Sequence, residues 1–155
     1  MSAGRDERQI RKAVTADWTV VHGLLQAAGL PVEDLDSGKR ERFLLATERG
    51  EGRERVLGAI GLESFGNVGL LRSLVVAAAA RGTGCGSLLV EALERRASVE
   101  GVTELWLLTI DADKFFASRG YRAMSRELAP PAIRDTAEFS SLCPGSAVLM
   151  SKPLL

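Results

Sequence analysis

The feature that most constrains the chain is a glycine-rich junction between an apolar strand and a long helical pattern. The stretch VVAAAARGTGCGSLLVEALERRA runs from Val75 to Ala97. Bare main chain at the positive end of a helix dipole leaves N–H groups open to an anion. Arg81 adds a cation that can grip phosphate, and Ser87 adds a hydroxyl. The junction predicts a phosphate or pyrophosphate site, and a tight turn without a ligand is the alternative.

Its spacing excludes two common nucleotide-binding loops. A Walker loop requires a Lys and then a Ser or Thr directly after the last glycine, and none is present. Gly86 comes one position too early for the dinucleotide fingerprint Gly-x-Gly-x-x-Gly. The junction also lies in mid-chain, whereas a dinucleotide domain carries its fingerprint after the first strand.

Hydrophobic periodicity predicts the element order β-α-α-β-β-β-α-β-α-β-α-β. Asp17 is expected to cap the first helix and Gly29 to end it. A hairpin should follow, and the strand Val68–Val76 should be central because it is apolar on both faces. Helix residues Leu88, Leu89, Ala92, Leu93 and Ala97 should share one face. The fold class is a mixed α/β sheet flanked by helices, in one domain spanning residues 8–155.

Charge and cysteine content exclude several classes of protein. Twenty basic and twenty acidic side chains cancel, which argues against nucleic acid or an anionic membrane as a partner. No apolar run approaches the ~18 residues of a membrane span, and the N-terminus lacks a secretory core. Cys85 and Cys143 are too few for a disulfide framework or a closed zinc site. We therefore expect a reduced cytoplasmic protein without a metal.

Two motifs resemble the signatures of the GNAT N-acetyltransferases. The sequence RGTGCG, from Arg81 to Gly86, resembles their pattern Gln/Arg-x-x-Gly-x-Gly/Ala. The sequence TIDADKFFASRGY resembles their second signature, Asn-x-x-Ala-x-x-Phe/Tyr-Tyr-x-x-x-Gly-Phe/Tyr, from Thr109 to Tyr121. The resemblance implies the acyl-CoA N-acyltransferase fold with a splayed central sheet, and acetyl-CoA as co-substrate.

From GLPVEDL to SKPLL, the chain also resembles the arsenic-resistance N-acetyltransferases, which are related to the acetyltransferase domain of N-acetylglutamate synthase. That branch implies a small-molecule amine as the partner: glutamate, phosphinothricin or arsinothricin. Two alternatives stay open, namely a protein or peptide N-acetyltransferase and a non-catalytic acyl-CoA-binding sensor. Dimers are frequent in the family, so a homodimer is a further candidate.

The resemblance assigns the cofactor to the junction, to the end of the preceding strand and to the second motif. The junction would hold pyrophosphate, the end of the preceding strand would pair with pantetheine, and the N–H near Val76 would stabilise the oxyanion. Thr109 stands where many members have Asn. Phe116 replaces a Tyr that protonates the leaving thiolate, and a Phe cannot donate a proton. The predicted cofactor-binding residues are Leu74, Val75, Val76, Arg81, Gly82, Thr83, Gly84, Cys85, Gly86, Ser87, Thr109, Ala112, Phe115 and Phe116.

Arg72 is the most informative side chain on the acceptor side. It interrupts an apolar strand, where an unpaired guanidinium would cost several kcal/mol. Strand alternation places it on one face with Leu70, Leu74 and Val76. We predict that it binds an acceptor carboxylate, and the alternative is a salt bridge to Glu63 or Glu104.

The sequence offers several candidates for the general base. Glu63 is the candidate, with His22, Asp111 and Glu138 as alternatives, and an amine of modest pKa needs none. The segment Pro130–Pro144 is too polar to be core, so Arg134 and Glu138 are predicted to bind the acceptor. The same segment could instead form a dimer contact.

Overall fold

The computed structural model describes residues 8–154. Its strands are β1 (Arg8–Lys12), β2 (Phe43–Gly50), β3 (Arg53–Phe65), β4 (Val68–Val76), β5 (Glu104–Thr109), β6 (Arg122–Met124) and β7 (Val148–Pro153). Its α-helices are α1 (Trp18–Ala27), α2 (Ser37–Arg40), α3 (Cys85–Val99), α4 (Asp113–Ala117) and α5 (Pro131–Arg134). A π-helical turn, Glu138–Leu142, precedes β7. The predicted element order is confirmed.

The strands form one mixed sheet in the order β1-β2-β3-β4-β5-β7-β6. β1 pairs antiparallel with β2, and β2 with β3. β4 pairs parallel with β5, which in turn pairs antiparallel with β7. The apolar strand β4 is fourth of the seven strands in this order, so its predicted central position and the predicted fold class are both confirmed.

The chain divides into two compact units, and the division passes through β3 and β4. The first unit contains the described residues up to Leu62 together with Ser73–Arg95. The second contains Glu63–Arg72 and the described residues from Arg96 onward. The single domain expected over residues 8–155 stays a prediction, and residue 155 lies outside the described range.

The core of the first unit is apolar side chains from α1 and the early strands. Its buried members are Val21, Leu25, Leu35, Phe43, Leu45, Ala59 and Val75. Gly29 adopts φ +71° just after α1, as the predicted stop requires. The predicted Asp17 cap is wrong in detail, because its carboxylate accepts from the Val14 N–H and pairs with Arg11. Leu88 on α3 was also misplaced, since it is 39% exposed.

A tight hairpin joins β2 and β3. Gly50 pairs with Arg53, so the connection is Glu51 and Gly52 alone. Both have positive φ, 53° and 75°, which is the signature of a type I′ turn. The predicted hairpin is present.

The core of the second unit is Leu70, Trp106, Ala129, Ile133 and Leu149. The Trp106 indole N–H donates to Glu104 Oε1 at 2.8 Å, which satisfies the polar atom of a buried ring. Tyr121 is buried and packs edge-on against Phe116, with ring centroids 5.4 Å apart.

Ser73 lies in the left-handed region inside β4, with φ 59°. A left-handed non-glycine residue within a strand is a bulge-type irregularity, and it breaks the alternation of side chains between the two faces. The prediction that Arg72 shares a face with Leu74 and Val76 depended on that alternation, which stops at Ser73.

Candidate active site

The glycine junction has the open main chain that the sequence predicted. A 3₁₀ turn, Ala78–Ala80, leads from β4 into the junction, and α3 begins at Cys85. Gly82 and Gly84 adopt φ +77° and +84°, which L-residues rarely tolerate. A methyl group added at either glycine would meet no other heavy atom within 4 Å. The junction is therefore an unobstructed cradle of backbone.

The start of α3 supplies the polar groups of this cradle. The Leu88 N–H bonds to the Gly84 carbonyl at 3.1 Å, which closes the first helical turn. Helix geometry leaves the N–H groups of the first turn without acceptors inside the helix. The N–H groups of Cys85 and Gly86 lie at the positive end of the dipole, where an anion is stabilised.

The side chains of the junction serve the fold rather than the chemistry. The Thr83 hydroxyl donates to the Ala80 carbonyl, and Arg8 Nη1 donates to the Thr83 carbonyl at 3.0 Å. Cys85 is buried, and burial raises the pKa of its thiol. A protonated thiol is a poor nucleophile and a poor metal ligand. Thr83 and Cys85 can contribute main-chain groups, whereas Arg81 is exposed at the surface.

Sequence analysis missed Gly58 of β3, which lets the end of β4 approach closely. A methyl group there would lie 2.6 Å from the Val75 carbonyl oxygen and 3.0 Å from Leu89 Cδ1. The Ala77 N–H donates to the Leu57 carbonyl at 2.7 Å beside this contact. A glycine inside an apolar strand was the available signal, since it often marks close approach of another backbone.

The end of β4, which is predicted to pair with the cofactor, is partly buried. Val75 belongs to the core of the first unit, and Leu74 and Val76 are half-buried. Parallel pairing joins Val68, Gly69 and Leu70 to Glu104, Leu105 and Trp106. β4 then continues from Leu71 to Val76.

The second motif builds the turn from β5 into α4. Thr109 Oγ1 accepts a hydrogen bond from the Ala112 N–H at 2.9 Å, so this hydroxyl can replace an Asn side chain in shaping the turn. Phe116 is buried between Phe115 and Tyr121, with centroids 5.1 Å and 5.4 Å away. The Arg119 guanidinium lies 4.1 Å from the centroid of Phe115.

Arg72 lies at the centre of an ion-pair cluster, the acid–arginine–acid cluster of Glu63, Arg72 and Glu138. Arg72 Nη1 is 2.9 Å from Glu63 Oε2, and Nη2 is 3.3 Å from Glu138 Oε2. The three side chains are 11%, 1% and 4% exposed, in the order Glu63, Arg72 and Glu138. The predicted bridge to Glu63 is present. The predicted alternative of Glu63 or Glu104 is therefore met by Glu63, and the Glu104 carboxylate accepts from the Trp106 indole N–H.

The sequence did not connect Glu138 with Arg72, because nothing in the spacing links two residues so far apart. Glu138 is nevertheless among the substrate-binding residues predicted. Arg134 uses its guanidinium within its own segment, donating to the carbonyls of Ala129 at 2.9 Å and Glu127 at 3.1 Å. Its predicted contact with the acceptor stays a prediction.

Of the alternative bases, Glu138 is a member of this cluster, and His22 and Asp111 are not. His22 is on α1, with its ring centroid 6.2 Å from that of Trp18, and Asp111 is exposed after β5. Within residues 8–154, no group of three or more His, Cys, Asp or Glu side chains could hold a metal ion. In the same range, no helix has the length and apolar character needed to cross a membrane.

Comparison with known proteins gives the family. A model of the acetyltransferase (GNAT) family matches residues 9–122, most of the chain. This chain belongs to the GNAT family. The predicted membership of the GNAT family is thereby confirmed. The arsenic-resistance branch stays a prediction.

One curated relative of this GNAT chain is an uncharacterized N-acetyltransferase of Chlorobaculum tepidum. The two are 41% identical over 63 residues, which cover 41% of this chain and 40% of the relative. The similarity thus spans less than half of either protein.

Two solved structures share the fold at a TM-score of 0.80. One is N-acetylglutamate synthase from Neisseria gonorrhoeae complexed with coenzyme A and N-acetyl-glutamate, 20% identical, covering 96% of this chain and 35% of that one. The other is Rv2747 from Mycobacterium tuberculosis in complex with CoA and a second ligand, 22% identical, covering 95% of this chain and 99% of that one. At these identities the likeness shows the fold, and this chain spans about a third of the Neisseria enzyme.

Proposed function

We propose that this chain transfers the acetyl group of acetyl-CoA to the primary amine of a small, amino-acid-like acceptor. The observation that carries the proposal is the open glycine junction, in a member of an acetyltransferase family. Left-handed Gly82 and Gly84 ahead of α3 offer N–H groups at a helix N-terminus, which is the recognition that a pyrophosphate needs.

Acetyl-CoA supplies the activated acetyl group, and we assign the binding of acetyl-CoA mainly to main-chain groups. Residues Gly82–Ser87 would bind its pyrophosphate, with Arg81 beside them as a phosphate partner. The end of β4, Leu74–Val76, would pair with the pantetheine arm, and the family resemblance also assigns Thr109, Ala112, Phe115 and Phe116 to the cofactor. The Val76 N–H is our candidate donor to the oxyanion, a contact whose removal costs about 3–4 kcal/mol in other enzymes.

Glu63 is our candidate for the base. It is the more exposed of the two carboxylates on Arg72, at 11% against 4% for Glu138, and an ionised carboxylate is a proton acceptor. An ammonium acceptor must lose a proton before its nitrogen can attack the thioester carbonyl. The leaving thiol has a pKa of about 8–9, so it departs as thiolate without a donor at Phe116.

An acceptor of the glutamate type fits the buried charge of Arg72. A guanidinium can hold a carboxylate with two parallel hydrogen bonds, and phosphinothricin and arsinothricin carry the same α-amino acid group. The Neisseria structure that shares this fold holds N-acetyl-glutamate, which supports this acceptor class. A role in arsenic or xenobiotic resistance would follow from such an activity. A homodimer and a cytoplasmic location stay predictions.

One observation favours a second function, an acyl-CoA-binding sensor without turnover. Phe116 is buried where many family members carry the proton donor, so the chain lacks that catalytic group. The glycine junction would serve a sensor equally well.

Thiol release from acetyl-CoA separates the two functions. Purified protein is assayed with glutamate, phosphinothricin and arsinothricin, with a lysine peptide to test protein acetylation. We expect turnover with at least one of the amino acids. Tight acetyl-CoA binding with no turnover on any acceptor would instead support the sensor.

A further inference from the structure

The carboxylate of Glu138 lies on the guanidinium that the proposed function needs for the acceptor. Its Oε2 is 3.3 Å from Arg72 Nη2, and its side chain is 4% exposed. The side chain of Glu138 and the α-end of an amino acid both present a carboxylate. Arg72 therefore already holds, from within the chain, the kind of group it is proposed to recognise.

The two carboxylates on Arg72 are anchored differently. Glu63 belongs to β3, and β3 and β4 are neighbouring strands joined by only Gly66 and Asn67. Its contact with Nη1, at 2.9 Å, has hydrogen-bond geometry. Glu138 begins a short π-helical turn outside the sheet, closed by the Cys143 N–H on its carbonyl at 3.0 Å. Glu138 is thus the partner that can leave without disturbing a strand.

Charge favours an exchange of Glu138 for an amino acid. With both acids ionised, the side chains of Glu63, Arg72 and Glu138 sum to one negative charge, and holding such charge away from water is costly. An amino acid brings an α-ammonium together with its α-carboxylate. If its α-carboxylate replaces that of Glu138 on Nη2, these two α-groups add no net charge beside the Glu63–Arg72 pair.

We propose that Glu138 is a built-in competitor for the acceptor's α-carboxylate at Arg72 Nη2. This inference rests on the proposed function and narrows its acceptor to α-amino acids. In these the amine and the carboxylate share one carbon. A carboxylate on Nη2 therefore places the amine beside Arg72, within the neighbourhood of Glu63 on Nη1. An amine without an adjacent carboxylate gains nothing when Glu138 leaves.

Competition of this kind raises the apparent dissociation constant of the acceptor. Only the molecules in which Arg72 has released Glu138 can bind it. A variant that loosens Glu138 from Arg72 should therefore bind the acceptor more tightly. A purely structural partner behaves in the opposite way, because its loss damages the site.

The test is Glu138→Gln, which keeps the shape of the side chain and removes its charge. We expect the dissociation constant of the amino acid, measured by calorimetry with CoA present, to fall about tenfold. Its KM should fall in parallel, while the KM of acetyl-CoA stays unchanged. Glu127→Gln is the matched control, since Glu127 is exposed in the same unit. A primary amine of equal length without the carboxylate should bind both proteins alike.

A Glu138→Gln protein that binds the amino acid no better, or worse, overturns the inference. If circular dichroism shows that this variant is unfolded, Glu138→Asp takes its place, and its shorter reach should tighten binding by a smaller factor. Thiol release by the wild type reports separately on the proposed function. If Glu138→Gln binds the amino acid more tightly but the wild type shows no turnover, Glu138 is a competitor and the proposed enzyme activity is rejected. If the wild type turns over but Glu138→Gln binds no more tightly, the activity stands and the competitor role is rejected.

Discussion

Arg11 and Arg72 are each held by two carboxylates, but water reaches them very differently. Arg11 bonds Asp17 at 2.8 Å and Glu54 at 2.9 Å, and its side chain is 27% exposed. Arg72 has contacts of similar length but is 1% exposed. Exposed ion pairs are worth little because water solvates the separated charges nearly as well. Burying an ion pair carries a large desolvation cost, and removing one partner afterwards leaves an uncompensated charge in the interior.

The difference indicates what each cluster is for. The Arg11 cluster joins β1, the turn before α1 and β3, so it organises the first unit at the surface. The Arg72 cluster is a costly way to hold the second unit together, since apolar side chains of the same volume would serve packing as well or better. Its persistence in the interior therefore supports a chemical role.

Removing each arginine is the strongest test of this comparison. Arg72→Ala should lower the free energy of unfolding by about 3–5 kcal/mol, because two carboxylates stay buried without their cation. Arg11→Ala should cost about 1 kcal/mol or less, because Arg11 is 27% exposed and water reaches the charges left behind. Urea denaturation of the two variants measures both values. Equal losses would mean that burial does not separate the clusters.

Alanine substitutions at Gly84 and Gly52 form a matched pair with a smaller expected effect on stability. Both have positive φ, +84° and +75°, and a methyl group would meet nothing within 4 Å at either position. Alanine should cost about 1–2 kcal/mol of stability at both, because the left-handed backbone is strained. Acetyl-CoA affinity should fall in Gly84→Ala and stay unchanged in Gly52→Ala, as titration calorimetry would show. An equal loss of affinity in both would remove the junction from the cofactor site.

The smallest effect concerns pH and the exposed cluster. Hydrogen bonds from Arg11, and then one from the Val14 N–H, lower the pKa of Asp17 below its ordinary value of 3.8. The unfolded chain therefore takes up this proton first as the solution is acidified. The stabilisation is complete above about pH 4 and is lost as pH falls through the lowered pKa of the folded state.

Asp17→Asn should consequently lose about 1 kcal/mol or less at neutral pH, with the gap to wild type closing in acid. Thermal unfolding followed from pH 7 to pH 2 measures this gap. Asp111→Asn, at an exposed site, is the control. A gap that stays constant over this range would show that ionisation of Asp17 contributes nothing to stability.

Features built from neighbouring residues could be predicted from the sequence, whereas features that depend on distant residues could not. The glycine junction and the turn at Thr109 use neighbouring residues in fixed spacing, so the motifs alone located them. The hairpin at Gly52 could be predicted for the same reason. The bulge at Ser73 was not, because no local pattern forces a serine into the left-handed region.

The acceptor side was only half predictable. Burial of a charge at Arg72 demanded a partner, and Glu63 was within reach on an adjacent predicted strand. Glu138 approaches through a turn whose position depends on the packing of Ala129 and Ile133 in the second core. Contacts of that kind follow from tertiary structure, which periodicity does not encode.

The short connection between β3 and β4 also has a consequence for how the chain assembles. A β-hairpin closes in about 1–10 μs, and this one carries Glu63 and Arg72 on its two arms. During synthesis the hairpin emerges from the ribosome well before the segment of Glu138. Arg72 therefore has a counter-ion from the moment its strand pairs, and collapse of the sheet never has to trap a lone guanidinium while the rest of the chain is still being made.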